Sequence, residues 1–233
     1  METDLSRRLL LFDIDGTLLT SARAGRQALI DGMQSQFGIK EDLAGVSLAG
    51  ATDGAIAKAL LAKNGIPVTQ ENAACLLEGY LRHLSERIRC HPGNLMPGVL
   101  ELLRHLCLRP DCVLGLLTGN LERGAKIKLT FYGAWHFFVF GAFADDHDNR
   151  NELGNVARVR AYKIYGFEFP PEHIYVFGDT PSDIHCGKAI NARTVAVATG
   201  EYSAEELSQF QPDFLFKNLL DKRRVLHLLF RSE

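Results

Sequence analysis

Nothing in this chain of 233 residues is long and apolar enough to cross a bilayer, and no segment is repeated or of low complexity. Those absences set aside a spanning helix and a solenoid or array. Cysteine is sparse and unpatterned: Cys75, Cys90, Cys107, Cys112 and Cys186 are odd in number and contain no C-x-x-C pair. They argue against a disulfide framework and read as the reduced thiols of a cytoplasmic protein. A basic surplus is missing too, since 26 Lys and Arg face 28 Asp and Glu for a net charge of -2. The sequence therefore has no electrostatic footprint for nucleic acid, and any positive potential must be local to a pocket. Arg7-Arg8 ahead of Leu9 to Phe12 hints at an export signal, but Asp13 cuts the apolar run well short of the roughly 7 to 15 residues a signal core needs. With 46% hydrophobic and 23% charged residues, what remains is an ordinary globular chain. Its length allows one large α/β domain and a smaller insert.

What is present is chemistry at the ends of apolar runs. Leu9-Leu10-Leu11-Phe12-Asp13-Ile14-Asp15-Gly16-Thr17-Leu18 reads as a strand buried on both faces that delivers two carboxylates and a glycine at its carboxyl end. In open α/β sheets that end is where ligands bind. Extended alternation sends Ile14 away from Asp13 and Asp15, and Gly16 permits a sharp turn close to an anion. A calcium loop does not fit, because counting from Asp13 its sixth and twelfth places hold Leu18 and Ala24 instead of Gly and Glu. A second run, Val113 to Leu117, ends in Thr118-Gly119-Asn120, a hydroxyl and backbone N-H groups able to bind phosphate oxygens. A third, Ile174 to Phe177, ends in Gly178-Asp179-Thr180-Pro181-Ser182-Asp183, carboxylates suited to a hard cation such as Mg²⁺.

Carboxylate pair, threonine and second carboxylate pair, in that order, resemble the haloacid dehalogenase superfamily of aspartate-nucleophile phosphatases. The D-x-D-G-T-L motif is intact at Asp13 to Leu18, the strand-ending threonine is Thr118, and G-D-x-x-x-D spans Gly178 to Asp183. The resemblance covers nearly the whole chain. It departs from the usual pattern at the superfamily's third motif, an upstream basic residue that is most often lysine. Here Arg150 stands just before the next helix and takes that role in our reading. Lys163 is the rival, but it lies on a helix read over 151–165, with Leu153, Val156, Ala157 and Ile164 as its apolar stripe, and reads as a solvated charge. An arginine fork can bind carboxylate and phosphate together. His147, between Asp146 and Asp148, reads as part of a solvated loop, and His83, His105, His173 and His227 have no partner spacing.

Along the chain, one strand precedes a helical interruption. Helices are expected near 22–37, 52–63 and 69–89, broken at Gly38, Gly45 to Gly50 and Gly65 to Pro67 and followed by a linker from Cys90 to Gly98. Strands near 113–117, 138–141, 174–177, 194–198 and 213–216 then alternate with helices. The expected architecture is α/β: a doubly wound parallel sheet with a Rossmann-like core of residues 1–20 and 92–233, and a helical cap of residues 21–91. The insertion point matches the small helical caps of phosphoglycolate-phosphatase-like members of the superfamily.

The resemblance implies a Mg²⁺-dependent hydrolysis of a small phosphorylated metabolite, phosphoglycolate being the leading substrate. Asp13 would attack phosphorus and form an aspartyl phosphate, and Asp15 would move the proton. Asp13, Asp15 through its carbonyl, Asp179 and Asp183 would serve the metal. Thr118, Gly119 and Arg150 would bind the phosphoryl oxygens. Arg23, Arg26, Thr52 and Asp53 are the candidate specificity residues in the cap. Other chemistries stay open at this point. Dehalogenation disagrees with Asp15 and with Gly178-Asp179. A phosphonate hydrolase needs a cap lysine, and Lys40, Lys58 and Lys63 look like surface charges. A phosphomutase of the same superfamily, or a catalytically idle anion-binding regulatory module, remains the alternative.

Overall fold

The computed structural model describes residues 7–230. The chain runs β1 (Arg8–Phe12), β2 (Leu19–Thr20), α1 (Ala24–Phe37), α2 (Asp53–Lys63), α3 (Gln70–Cys90), β3 (Asn94–Leu95), α4 (Val99–Leu106), β4 (Cys112–Leu117) and α5 (Glu122–Phe131). It continues through β5 (Phe140–Ala142), α6 (Arg150–Tyr165), β6 (Ile174–Gly178), α7 (Pro181–Ala189), β7 (Arg193–Val197), α8 (Ala204–Ser208), β8 (Phe214–Phe216) and α9 (Lys222–Phe230).

Among the described residues six strands form one sheet in the order β5-β4-β1-β6-β7-β8, every pair parallel. Helices cover both faces, which is why β1 carries Leu9, Leu10, Leu11 and Phe12 with no exposure at all. Leu10 and Phe12 face a layer built on Leu102 and Leu106 of α4, Leu129 of α5 and Leu229 of α9. Leu9 and Leu11 face Leu153 and Ala157 of α6 and Cys186 of α7. The chain steps outward from β1 to β4 and β5, then returns to the other side of β1 for β6, β7 and β8. That reversal opens a crevice at the carboxyl ends of β1 and β6, where open α/β sheets take their ligands. Phe12 pairs with Leu116 and with Phe177, so the three polar strand ends are level.

The interruption after β1 consists of α1, α2 and α3, packed around an apolar cluster of their own that includes Leu29, Met33, Leu60, Leu76 and Leu84. The chain enters and leaves this helical segment through two short strands, β2 and β3, paired antiparallel with Leu19 opposite Leu95. The first helix begins two residues later than the sequence suggests. Ala22 and Arg23 have φ of 45° and 73°, a left-handed backbone that cannot continue into the first turn, so α1 starts at Ala24. The strand expected from residue 138 starts at Phe140, because a 3-10 turn over Trp135–Phe137 occupies its approach. On α6 the buried stripe is Leu153, Ala157 and Ala161, whereas Ile164, expected on it, is exposed and Tyr165 carries the contact at that end.

Candidate active site

Asp13 follows β1 directly, and its N-H still donates to the Phe177 carbonyl at 2.9 Å, so the carboxylate is held by the sheet itself. The chain then turns at Gly16, whose φ is 86°. A Cβ there would lie 2.2 Å from Asp179 Oδ2, so this close approach of backbone to carboxylate admits only glycine. The turn sends Ile14 into the core and swings Thr17 back, where its hydroxyl donates to Asp179 Oδ1 at 2.8 Å. Past β6, Thr180 caps α7, with Pro181 in the first turn and Asp183 completing a capping box: its Oδ2 accepts from the Thr180 N-H at 3.0 Å and hydroxyl at 2.7 Å. The cap fixes the other oxygen of Asp183 toward the crevice.

Arg150 is the first residue of α6, and it points inward. Its Nη2 donates to Asp13 Oδ1 at 2.7 Å and to Asp183 Oδ1 at 2.5 Å, and its Nη1 to the Gly50 carbonyl at 3.5 Å. Its Nε is buried and has no hydrogen-bond partner among the described residues. Lys163, the alternative basic residue, is exposed on α6. One guanidinium does not balance the carboxylates gathered here. Asp13, Asp179 and Asp183 are all buried, and each offers an oxygen within 4.8 Å of the others. Burial, offset by Arg150, pushes the Asp13 carboxyl up to about 6. Asp179 is driven well above the usual carboxylate range, first by burial and then by Asp13 and Asp183. An all-oxygen, negatively charged donor set of this size fits a hard divalent cation such as Mg²⁺.

Beside this group lies a second polar cluster. Asp15 Oδ2 accepts from Lys128 Nζ at 2.5 Å and from Asn120 Nδ2 at 2.9 Å. Asn120 also donates to Thr118 Oγ1 at 2.9 Å, and its own oxygen accepts from Lys128 at 2.6 Å. Thr118 is fully buried beneath Gly119 and Asn120, which line the cavity. Sequence reasoning did not single out Lys128, and it named Asn120 only as part of the cluster that follows Leu117. The signal for Lys128 was there: it shares the buried stripe of α5 with Gly124, Ala125 and Leu129, where a lysine has no business unless it is paired.

The four cap residues proposed for specificity separate in the structure. Arg23 precedes α1 instead of lying within it, lines the cavity, and its side chain has no hydrogen-bond or ion-pair partner among the described residues. Arg26 also lines it, but reaches across to Glu201, in the loop after β7, at 3.4 Å. Thr52 caps α2, accepting from the Ala55 N-H and donating to the Asp148 carbonyl at 2.9 Å, and it is not among the cavity-lining residues. Asp53 latches the helical segment to the sheet: its N-H donates to the Gly119 carbonyl at 2.7 Å and its Oδ2 accepts from the Leu121 N-H at 2.8 Å. Burial raises its carboxyl to about 6. Lys58 and Lys63 are tied into ion pairs with Asp148 and Glu41, outside the cavity, and Lys40 is exposed. Asp146 is likewise tied to Arg160, and the His147 Nδ1 accepts from the Asn149 N-H at 2.9 Å. All the cavity-lining groups named here enclose about 420 Å³ between the helical segment and the crevice.

No helix of the described residues is long and apolar enough to cross a membrane. Comparison with known proteins agrees with the fold. Phosphoglycolate phosphatase 1 of Pseudomonas aeruginosa is 27% identical over 231 residues, covering 92% of this chain and 78% of that protein. A hydrolase from Pseudomonas syringae superposes with a TM-score of 0.74 at 22% identity, over 96% of this chain and 99% of that one. A Bacteroides vulgatus protein described as a candidate beta-phosphoglucomutase superposes with a TM-score of 0.70 at 21% identity, over 97% and 89% of the two chains. The family pattern of haloacid dehalogenase-like hydrolases matches residues 10–188, a span that contains β1, the helical segment, Thr118, Arg150 and the Asp179 to Asp183 turn, and the chain belongs to that family.

Proposed function

We propose that the protein is a phosphatase that hydrolyses a small phosphomonoester through an aspartyl phosphate on Asp13, with residues 21–91 acting as a cap over residues 1–20 and 92–233. The observation that carries this reading is Asp13 itself, a buried carboxylate at the switch point of the sheet, oriented by Arg150 and crowded by Asp179 and Asp183. Asp13 needs no separate base, because its deprotonated form is the nucleophile. Arg150 holds that oxygen in place, and as a cavity-lining cation it would also attract a phosphoryl oxygen. Thr118 and the N-H groups near Ile14 and Gly119 would take the remaining oxygens. Asp15 would protonate the leaving oxygen and then take a proton from water. Mg²⁺, held by Asp13, Asp179, Asp183 and the Asp15 carbonyl, would neutralise the repulsion between these carboxylates and an incoming phosphate dianion. The relative named for phosphoglycolate and the small cavity support an acidic phosphomonoester of few atoms.

The direct test is phosphate release from a panel of phosphomonoesters with and without Mg²⁺. Activity on a small acidic ester that disappears on chelation is expected; activity surviving exhaustive chelation would remove the metal. For a sugar phosphate, free sugar and phosphate are the expected products, and an isomerised phosphate would move the protein to the mutases. Asp179→Asn should suppress the reaction and raise the Mg²⁺ concentration for half-maximal rate. The same change should stabilise the metal-free protein at pH 7.5. Because the folded-state pKa of Asp179 is raised, its ionised form opposes folding. Removing that charge should raise the thermal midpoint of the metal-free protein. The gain should shrink as the pH falls and the native carboxyl takes up its proton. Calorimetry with and without chelator checks both signs.

In the cap, Arg23→Ala should lower kcat/KM about tenfold for an acidic natural ester and leave nitrophenyl phosphate nearly unchanged, since remote contacts help only the substrates that reach them. Asp53→Asn should lower both alike, because its carboxylate holds the Leu121 N-H. The reverse assignment in a two-substrate comparison would exchange these roles.

A further inference from the structure

A buried ammonium is expensive, and in this site the phosphoryl-handling groups do not employ one. Lys128 nevertheless reaches the cavity from α5 with its side chain only 5% exposed. Two of its protons go to Asp15 Oδ2 and Asn120 Oδ1, and the buried Tyr80 of cap helix α3 lines the same cavity beside the ammonium. Asp53, also from the cap, adds its field to that of Asp15. Burial works against the charge, but Asp15 above all, with Tyr80 and Asp53, holds the Lys128 pKa above the ordinary lysine value. As a stability device such a pair is poor, since apolar residues of similar volume commonly do as well or better. Its geometry has a different consequence. Lys128 and Asn120 both bind the same oxygen of Asp15, while no hydrogen bond among the described residues reaches Oδ1 and the carboxylate side chain is 41% exposed.

We propose that Lys128 is the positioning residue for Asp15: it fixes Oδ2 so that Oδ1 is the oxygen presented to the leaving group, and Tyr80, which lines the same cavity from the cap, makes that aim depend on the seated cap. This role rests on the phosphatase reading above. In the first half-reaction the bond from Asp13 to phosphorus forms as the bond to the leaving oxygen breaks, and the proton on Asp15 Oδ1 passes to that oxygen. In the second, water attacks phosphorus, the bond to Asp13 breaks, and the water proton returns to Oδ1. Lys128 neither gains nor loses a proton in either step. The cap then does more than sort substrates. It supplies Tyr80 to the support of the proton-transfer group, tying chemistry to closure.

The test uses the leaving group. In the full-length protein, Lys128→Met keeps the length and flexibility of the side chain and removes the cation. With saturating Mg²⁺, kcat/KM for a primary alkyl phosphate, whose alkoxide must be protonated, should fall about 100-fold, the lower end of what positioned acid-base groups supply. For dinitrophenyl phosphate, which leaves without a proton, the loss should stay below about threefold by the same reasoning. The half-maximal Mg²⁺ concentration should not move. Equal losses on the two esters, or no loss on the alkyl ester, overturn the role. Should Lys128→Met fail to fold, Tyr80→Phe decides: it keeps the ring, and should slow the alkyl ester but not the dinitrophenyl ester. Level behaviour there overturns the proposal as well. Wild-type protein that releases phosphate from neither ester overturns the phosphatase reading along with it, whereas wild-type hydrolysis with level losses overturns Lys128 alone.

Discussion

Asp13→Asn should abolish turnover and leave the protein folded, with kcat falling at least about 10⁴-fold, a barrier increase of more than 5 kcal/mol. The amide has nearly the shape of the carboxylate and keeps an oxygen to accept from Arg150 Nη2, now 2.7 Å away. What it lacks is the negative charge that attacks phosphorus. The fold should not suffer, because the native carboxyl is costly to ionise where it stands. Burial pushes it up to about 6 from an ordinary 3.8. A raised carboxyl pKa means that the folded state binds the proton more tightly than the unfolded one, so in metal-free wild-type protein this group takes stability away as pH rises between those two values. The asparagine variant should lack that part of the pH dependence. The checks are kcat on the best ester and thermal midpoints at pH 4.5 and 7.5. A loss of turnover below about tenfold, 1.4 kcal/mol, would sink the covalent mechanism.

Asp13, Thr118, Asp179 and Asp183 were legible because each is tied to a strand end, and a strand end is something an apolar run announces. The switch point then brings β1 and β6 side by side without any further sequence signal. Arg150 was legible only as a position, just ahead of a helix; that its fork joins Asp13 to Asp183 depends on contacts 137 and 33 residues apart in the chain. Lys128 was legible in principle, as a lysine on an apolar helix face, but its meaning lies in Asp15, 113 residues away. The cap was harder to read. Thr52-Asp53 after a glycine-rich turn is the pattern of a helix start as much as of a ligand contact, and the structure uses Thr52 as the cap of α2 and Asp53 as a latch onto the Leu121 N-H. Arg23 could not be placed from helical periodicity at all, since its left-handed backbone takes it off the helix and toward the cavity.

Arg150→Ala should lower kcat/KM by about 2 to 4 kcal/mol, the usual consequence of losing one preorganised charge-stabilising group. Arg150 is 8% exposed and touches both Asp13 and Asp183, so alanine leaves Asp13, Asp179 and Asp183 within 4.8 Å of one another with no counter-charge in contact among the described residues. Two effects should therefore appear together. The metal-free variant should unfold at a lower temperature than wild type, because breaking a buried ion pair strands its partners. Saturating Mg²⁺ should restore much of that stability and little of the rate, since the cation can neutralise the carboxylates but cannot supply the fork that orients Asp13. Arg150→Lys should recover part of the rate, keeping the charge without the two-pronged reach. Lys163→Ala should be nearly silent in both measurements, its side chain being exposed on α6. The deciding comparison is kcat/KM and thermal midpoint for the three variants with and without Mg²⁺. A silent Arg150→Ala beside a crippled Lys163→Ala would falsify the assignment and move the basic residue one helix face away from the crevice.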